Sequence, residues 1–417
     1  MEAEVLPAAA PATAAPERSR RGIIGFAVTL AIITYVDRIC LMKAAPFIQS
    51  DLKIGDAAMG WVFAVFPLTY GLFEVPWGWL GDRIGPKKVL LRIVLAWSFF
   101  TAATGWTWNF LSILVTRALF GVGEAGCFPN LTKAFSTRLP RDERVRAQGI
   151  LWLSARWGGA FTPLVVVWIM TLTSWRRSFE IFGAIGVIWA LVFWWKYREE
   201  RTEPAPAGLS HADRRFWRLL LFSPRVWLLC LQYFLMNYGA YLYVTWLPKF
   251  FKDKWGVGGN LAAVLDGTPL FFMGLGSLAA GVLLGRAGGA AWRKRFAIAG
   301  YLASFTFILL AAGMPGPIAA ALMLGLAGFA SDLVMPASWG ACMDMGGRYA
   351  GTLSAFMNML GCLGAGLFPV VAPRLMAATG NNWTLVLVLN AVAYLAAAAC
   401  WLVLKTDTPL VPEEARS

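Results

Sequence analysis

Polar turns divide the chain into apolar runs of about 20 residues, the length a helix needs to cross a hydrocarbon layer. Twelve such runs can be drawn: 22–43, 57–79, 88–107, 110–132, 146–171, 178–197, 225–248, 261–284, 295–313, 317–341, 349–373 and 382–404. Helices suit them, because a bilayer offers the backbone no water and each segment must satisfy its own N–H and C=O groups. Of the 417 residues, 58% are hydrophobic and 14% charged, whereas soluble domains carry about 25% charged residues. A soluble globular enzyme, a disordered chain and a fibrous repeat are excluded. The expected fold class is all-α integral membrane, with twelve transmembrane helices in two pseudo-symmetric six-helix bundles.

Polar segments set the boundaries. Residues 1–21 read as a disordered cytoplasmic tail, 22–197 as an N-terminal six-helix bundle and 198–224 as a cytoplasmic linker. Residues 225–404 read as a C-terminal six-helix bundle and 405–417 as a second cytoplasmic tail. Arginines ahead of the first run imitate a signal peptide, but the run continues past Asp37 and Arg38 without a small-residue cleavage site.

Net charge is +14. The bases gather in alternate loops: Arg83, Lys87 and Lys88, then Arg138, Arg141 and Arg144, then Arg214, Arg215 and Arg218, then Arg293, Lys294 and Arg295. The opposite loops hold fewer, among them Lys53, Arg176, Arg177 and Lys249. This bias puts both termini in the cytoplasm of a multi-pass protein of the plasma (inner) membrane. It accounts for the charge without nucleic acid. None of the six cysteines forms a CxxC pair, and the one histidine, His211, lies in the linker. No metal and no cofactor is expected.

An ionisable side chain inside hydrocarbon costs several kcal/mol unless it is paired or faces water. The runs nevertheless contain Asp37, Arg38, Glu74, Arg117, Glu124, Arg156 and Asp332. Arg117 and Glu124 are seven residues apart, on one helix face but about 10 Å apart along the axis. Asp37 or Arg38 from the first helix would bridge them. Arginine stays protonated and holds a carboxylate through paired hydrogen bonds. A carboxylate in a low-dielectric cavity exchanges its proton nearer neutral pH. A fixed cation beside a titratable acid is the minimum equipment for proton-coupled anion uptake. The other reading is a buried ion-pair network that only ties helices together. Glu74, Asp332 and Asn237 read as cavity, gating or packing residues. Asn358 offers a polar contact to substrate, and Tyr35 and Tyr70 offer hydroxyls beside apolar rings.

Absent motifs narrow the class. No GxxxxGK[ST] phosphate loop, GxSxG, HExxH or triad occurs, so neither ATP hydrolysis nor another enzymatic reaction is expected. Repetition between the halves is faint. Glu124 precedes Pro129, and Asp332 precedes Pro336. Gly78–Lys88 corresponds to Gly281–Arg295, which keeps glycines and bases but lacks the aspartate.

The stretch GWLGDRIGPKK, with Gly78, Asp82, Arg83, Gly85, Lys87 and Lys88, resembles the helix two–three loop signature of the major facilitator superfamily. Tyr35-Val36-Asp37-Arg38 and the run from Arg117 through Glu124 to Pro129 resemble the anion:cation symporter family. That family includes bacterial sugar-acid and phthalate transporters. The resemblance implies alternating access by a twelve-helix carrier. It implies proton coupling at Asp37 and Glu124, substrate binding at Arg38, a supporting charge at Arg117, and substrate contact at Tyr35 and Tyr70. Arg156 stands where sugar-acid members have glutamine. It points to a dianion or a differently placed carboxylate, or it pairs with Glu74 or Glu124. Cys362 replaces a second asparagine, against galactonate-like recognition.

The expected function is proton-coupled uptake of an organic anion, foremost a sugar acid such as a hexonate, hexarate or hexuronate. The alternatives are uptake or efflux of an aromatic or dicarboxylic acid, or a non-transporting membrane sensor. The expected partners are the anion, protons and the lipid bilayer, with the chain a monomer.

Overall fold

The computed structural model describes residues 17–197, 211–287 and 289–411. Sixteen α-helices lie among them. The first half contains α1 (Glu17–Leu52), α2 (Asp56–Ile84), α3 (Pro86–Thr104), α4 (Phe110–Glu124), α5 (Cys127–Arg138), α6 (Arg141–Leu172) and α7 (Trp175–Lys196). A connecting helix follows, α8 (His211–Phe222). The second half contains α9 (Pro224–Thr245), α10 (Leu247–Trp255), α11 (Gly259–Ala287), α12 (Ala290–Gly313), α13 (Pro317–Asp332), α14 (Met335–Gly346), α15 (Ala350–Ala378) and α16 (Trp383–Val403).

Among the described residues eight stretches are long and apolar enough to cross a membrane, or ten if two bent pairs each count as one. One of the eight, Pro317–Ala378, is 62 residues long and covers α13, α14 and α15, which makes two crossings. Helix α3 completes twelve, its first turns carrying Lys87, Lys88 and Arg92. The outer surface is apolar: Leu72 and Trp108 are 69% and 75% exposed, as suits contact with lipid.

Several boundaries differ from the sequence reading. Helix α1 begins at Glu17, inside the expected tail, where Arg20 pairs with Glu143 of α6. The rest of that tail, 1–16, lies outside the described residues. The expected linker is helical from His211 to Phe222, because Phe216 and Leu220 are buried on one face and Arg214 and Arg215 lie on the other. Residues 198–210 are outside the description. The second tail folds back: Leu410 N–H donates to Met345 O at 2.8 Å, and Arg225 donates to Lys405 O and Thr408 O.

Two expected single spans are broken, at equivalent places. The chain turns at Ala125 and Gly126, the latter at φ +82. A side chain there is doubly disfavoured, since its Cβ would stand 2.3 Å from Trp77 Cβ. The break frees carbonyls that need donors. Trp77 Nε1 reaches Val122 O at 2.7 Å, and Asn130 Nδ2 reaches Gly126 O at 2.8 Å. The second break, at Leu333 and Val334, stays right-handed and is followed by Pro336, which has no N–H to continue the ladder.

The halves meet chiefly along two helix pairs, α2 with α15 and α6 with α11, with α5 and α14 adding contacts beside them. Small residues bring the backbones close. A Cβ at Gly78 would stand 2.5 Å from Gly351 O, and one at Gly149 would stand 2.7 Å from Gly281 Cα. Trp157 stacks on Phe271 with ring centroids 5.5 Å apart. All these contacts lie between the middle of the span and the end carrying the α2–α3 turn, the basic end. There the halves are clamped.

Candidate functional site

Helix α1 delivers Asp37 and Arg38 to the last turns of α4, where Arg117 and Glu124 sit. Arg38 pairs with Glu124: Nε donates to Oε1 at 2.6 Å, and Nη2 lies 2.6 Å from the same oxygen. Glu124 is 1% exposed and Arg38 22%, so the pair opens to space on the arginine side. The Arg38 guanidinium also faces the rings of Tyr70, Phe66 and Tyr35 at 4.8, 5.2 and 5.7 Å, favourable cation–π contacts.

Asp37 is buried, and among the described residues neither of its carboxylate oxygens has a hydrogen-bond partner. Its electrostatic neighbours are Glu124, Arg117 and the Trp97 indole. Arg117 is buried against the Phe120 ring at 3.9 Å, with Nε and Nη1 unpartnered. Arg117 makes no ion pair with Glu124 among the described residues, as their separation along the helix requires. The site therefore holds two acids and two bases, with Arg38 as the group that bridges to Glu124.

Arg156 corrects one expectation. It pairs with neither Glu74 nor Glu124, but crosses between the halves to Asp332. Nε donates to Oδ2 at 3.1 Å and Nη2 to Oδ1 at 3.2 Å. Ser277 Oγ donates to Oδ2 at 3.0 Å. The reason is register: α6 lies along α11, and the α13 break brings Asp332 to that seam.

Glu74 and Asn358 also bridge the halves. Asn358 Nδ2 donates to Glu74 Oε1, and Tyr233 Oη donates to Asn358 Oδ1 at 3.2 Å. Asn237 donates to Tyr233 O on its own helix at 2.9 Å. Glu74 and Asn358 thus work in the seam between α2 and α15.

The signature loop does equivalent work at the basic end. Asp82 accepts from Gly351 N at 3.0 Å, Thr352 N at 2.7 Å and Thr352 Oγ1 at 2.6 Å. The two N–H groups among them are free donors at the start of α15, where negative charge is favoured. Lys133 Nζ lies 3.1 Å from Asp82 and also donates to Arg348 O. Gly85 takes φ +91 to reverse the chain. Arg83 stacks on Trp79, and Lys87 donates to Trp194 O at 3.2 Å. Lys88 is exposed.

Sequence reasoning missed Ser277, Phe66, Tyr233 and Tyr241. Nothing separates them from ordinary membrane-helix residues until the fold brings them to the charges. Tyr241 feels Arg38, Arg156 and Tyr35 from the second half. Two recesses lie away from this cluster. One of about 540 Å³ is lined by Lys249, Asp253 and Trp383, where the Lys249 ammonium holds the Asp253 carboxyl below its ordinary range. Another of about 380 Å³ is lined by Arg141, Arg293, Asp344 and Asp407.

The family model described as Major Facilitator Superfamily matches residues 27–369. The chain is 31% identical over 384 residues to a protein of Cupriavidus necator named as the probable sulfoacetate transporter SauU, covering 87% of this chain and 89% of that one. It is 31% identical over 266 residues to the hexuronate transporter of Bacillus subtilis, covering 62% and 63%. It is 27% identical over 360 residues to the probable L-galactonate transporter of Escherichia coli, covering 82% and 80%. The crystal structure of the transporter FucP in its outward conformation superimposes with TM-score 0.78 at 13% identity, over 92% of this chain and 99% of that one.

Proposed function

The chain belongs to the major facilitator superfamily, and on that premise we propose that it takes up an organic anion together with protons. It is a transporter and not an enzyme. The observation that carries the proposal is the Arg38–Glu124 pair, with Asp37 unpartnered beside it. Arg38 is a fixed cation with 22% of its side chain exposed, suited to an anionic group of the substrate. Glu124 and Asp37 are the proton carriers. When a substrate anion draws Arg38 toward itself, Glu124 becomes an uncompensated buried charge, which is costly. Protonation relieves that cost, so anion and proton bind together.

With the basic end in the cytoplasm, the clamp at α2–α15 and α6–α11 closes the cytoplasmic side. Substrate then enters from outside, and rocking of the halves presents it inward. Relatives named for hexuronate and galactonate transport support a sugar acid as cargo. The ring cluster of Tyr35, Phe66 and Tyr70 around Arg38 favours an aromatic acid as the second reading.

The test is proton uptake by the purified full chain in proteoliposomes, screened with sugar acids and aromatic acids. A substrate-dependent pH change that disappears in Arg38→Ala supports symport. Folded protein that moves anion without any proton flux overturns the coupling.

A further inference from the structure

One unit is built twice in this protein. Glu124 is the last residue of α4 and Asp332 the last residue of α13, each immediately before a break. Each carboxylate is 1% exposed and is held by an arginine from another helix that keeps some exposure, 22% for Arg38 and 13% for Arg156. A carboxylate at a helix C-terminus faces the negative end of the dipole, so each needs its guanidinium. The guanidinium needs only one edge for it. Arg38 and Arg156 both turn Nε and Nη2 to the acid. Among the described residues neither Nη1 has an acceptor, and a guanidinium has five donors to fill.

Both guanidiniums neighbour the same tyrosines. Tyr35 lies in the field of Arg38 and of Arg156, and Tyr241 lies in the field of both from the opposite half. The two units differ in one respect. Arg38–Glu124 lies within the first half, whereas Arg156–Asp332 joins the two halves.

Resting on the organic-anion reading above, we infer that the cargo is a small dianion, one anionic group on the free edge of Arg38 and the other on the free edge of Arg156. The second group sets a like charge beside Asp332 on the same guanidinium and so weakens the pair that ties the halves together. A dianion therefore loosens the seam it binds beside. A monoanion fills the Arg38 end and leaves the tie intact, so the number of charges on the cargo decides whether the carrier proceeds.

The experiment compares matched pairs of equal chain length in proteoliposomes of the full chain: gluconate with glucarate, and butyrate with succinate. Binding and counterflow are read for each. Wild type is expected to favour the dianion of a transported pair by about tenfold or more, the worth of a charge-assisted hydrogen-bonded pair. In Arg156→Gln that preference falls to about one. The double variant Arg156→Gln/Asp332→Asn leaves no orphan charge and is expected to lose the preference likewise, which keeps the test valid if the single variant misfolds. Equal handling of both members by wild type, or equal loss of both in the variants, overturns the dianion inference and leaves the organic-anion reading standing. If no anion of either kind binds, both fail.

Discussion

Both Nε and Nη2 of Arg38 stand 2.6 Å from a single oxygen of Glu124, Oε1, while Oε2 has no hydrogen-bond partner among the described residues. The arginine clamps one oxygen and leaves the other unpartnered, the oxygen that the proposed symport would protonate. Glu124→Gln keeps an acceptor for Arg38 but removes the exchangeable proton. It is expected to abolish proton-driven accumulation while sparing some substrate exchange. Accumulation at the wild-type level in this variant would defeat the coupling assignment.

Arg117 interacts electrostatically with Glu124 and Asp37 but makes no ion pair among the described residues. Arg117→Met would leave both acids without that buried cation, a change expected to cost about 3–5 kcal/mol. Lower recovery of folded protein and a lower Tm in detergent are the readouts. Adding Asp37→Asn should restore much of the loss, since the pair of changes removes one charge of each sign. An uncorrected double variant would mean that Arg117 acts through packing on Phe120 alone.

Asp82→Ala removes the acceptor of three hydrogen bonds at the start of α15 and the partner of Lys133. The expected cost falls on the clamped arrangement, about 2 kcal/mol or roughly thirtyfold in its balance against the open one. Spin-label distances across the basic end would lengthen in a larger fraction of molecules. An unchanged distance distribution would show that the loop does not hold the clamp.

Two glycines offer a paired contrast. Gly78→Ala puts a Cβ 2.5 Å from the Gly351 carbonyl oxygen, and that backbone atom cannot rotate away. It should weaken the seam and lower Tm. At Gly25 nothing lies within 4 Å of an added Cβ. Gly25→Ala should be neutral, or stabilising by up to about 1 kcal/mol through helix propensity. Equal effects at the two sites would exclude close backbone approach as the reason for Gly78.

The twelve-helix frame was legible because apolar runs bounded by bases have few other uses. The ionisable cluster was legible for the same reason: Asp37, Arg38, Arg117 and Glu124 stand out in hydrocarbon. Partners were not. Asp332 lies 176 residues from Arg156, and only the seam between halves brings them together. The two helix breaks were hidden because apolar residues continue through each of them, Ala125 to Phe128 at the first and Leu333 to Met335 at the second. Helix α8 was read as linker because its charged face outweighed the buried pair Phe216 and Leu220.

Asp82 belongs to one half and caps a helix of the other, so the cap exists only while the halves are together at that end. The equivalent loop near Gly281–Arg295 has no aspartate to offer a cap in return. The cap is therefore built on one side only. It is written in residues 78–82 and 351–352, apart from the charged cluster at 37–38 and 117–124. Substitutions at the Asp82 cap can retune how firmly the halves close without touching that cluster, whereas Arg156, tied to Asp332 across the seam, links closure to the cargo proposed above.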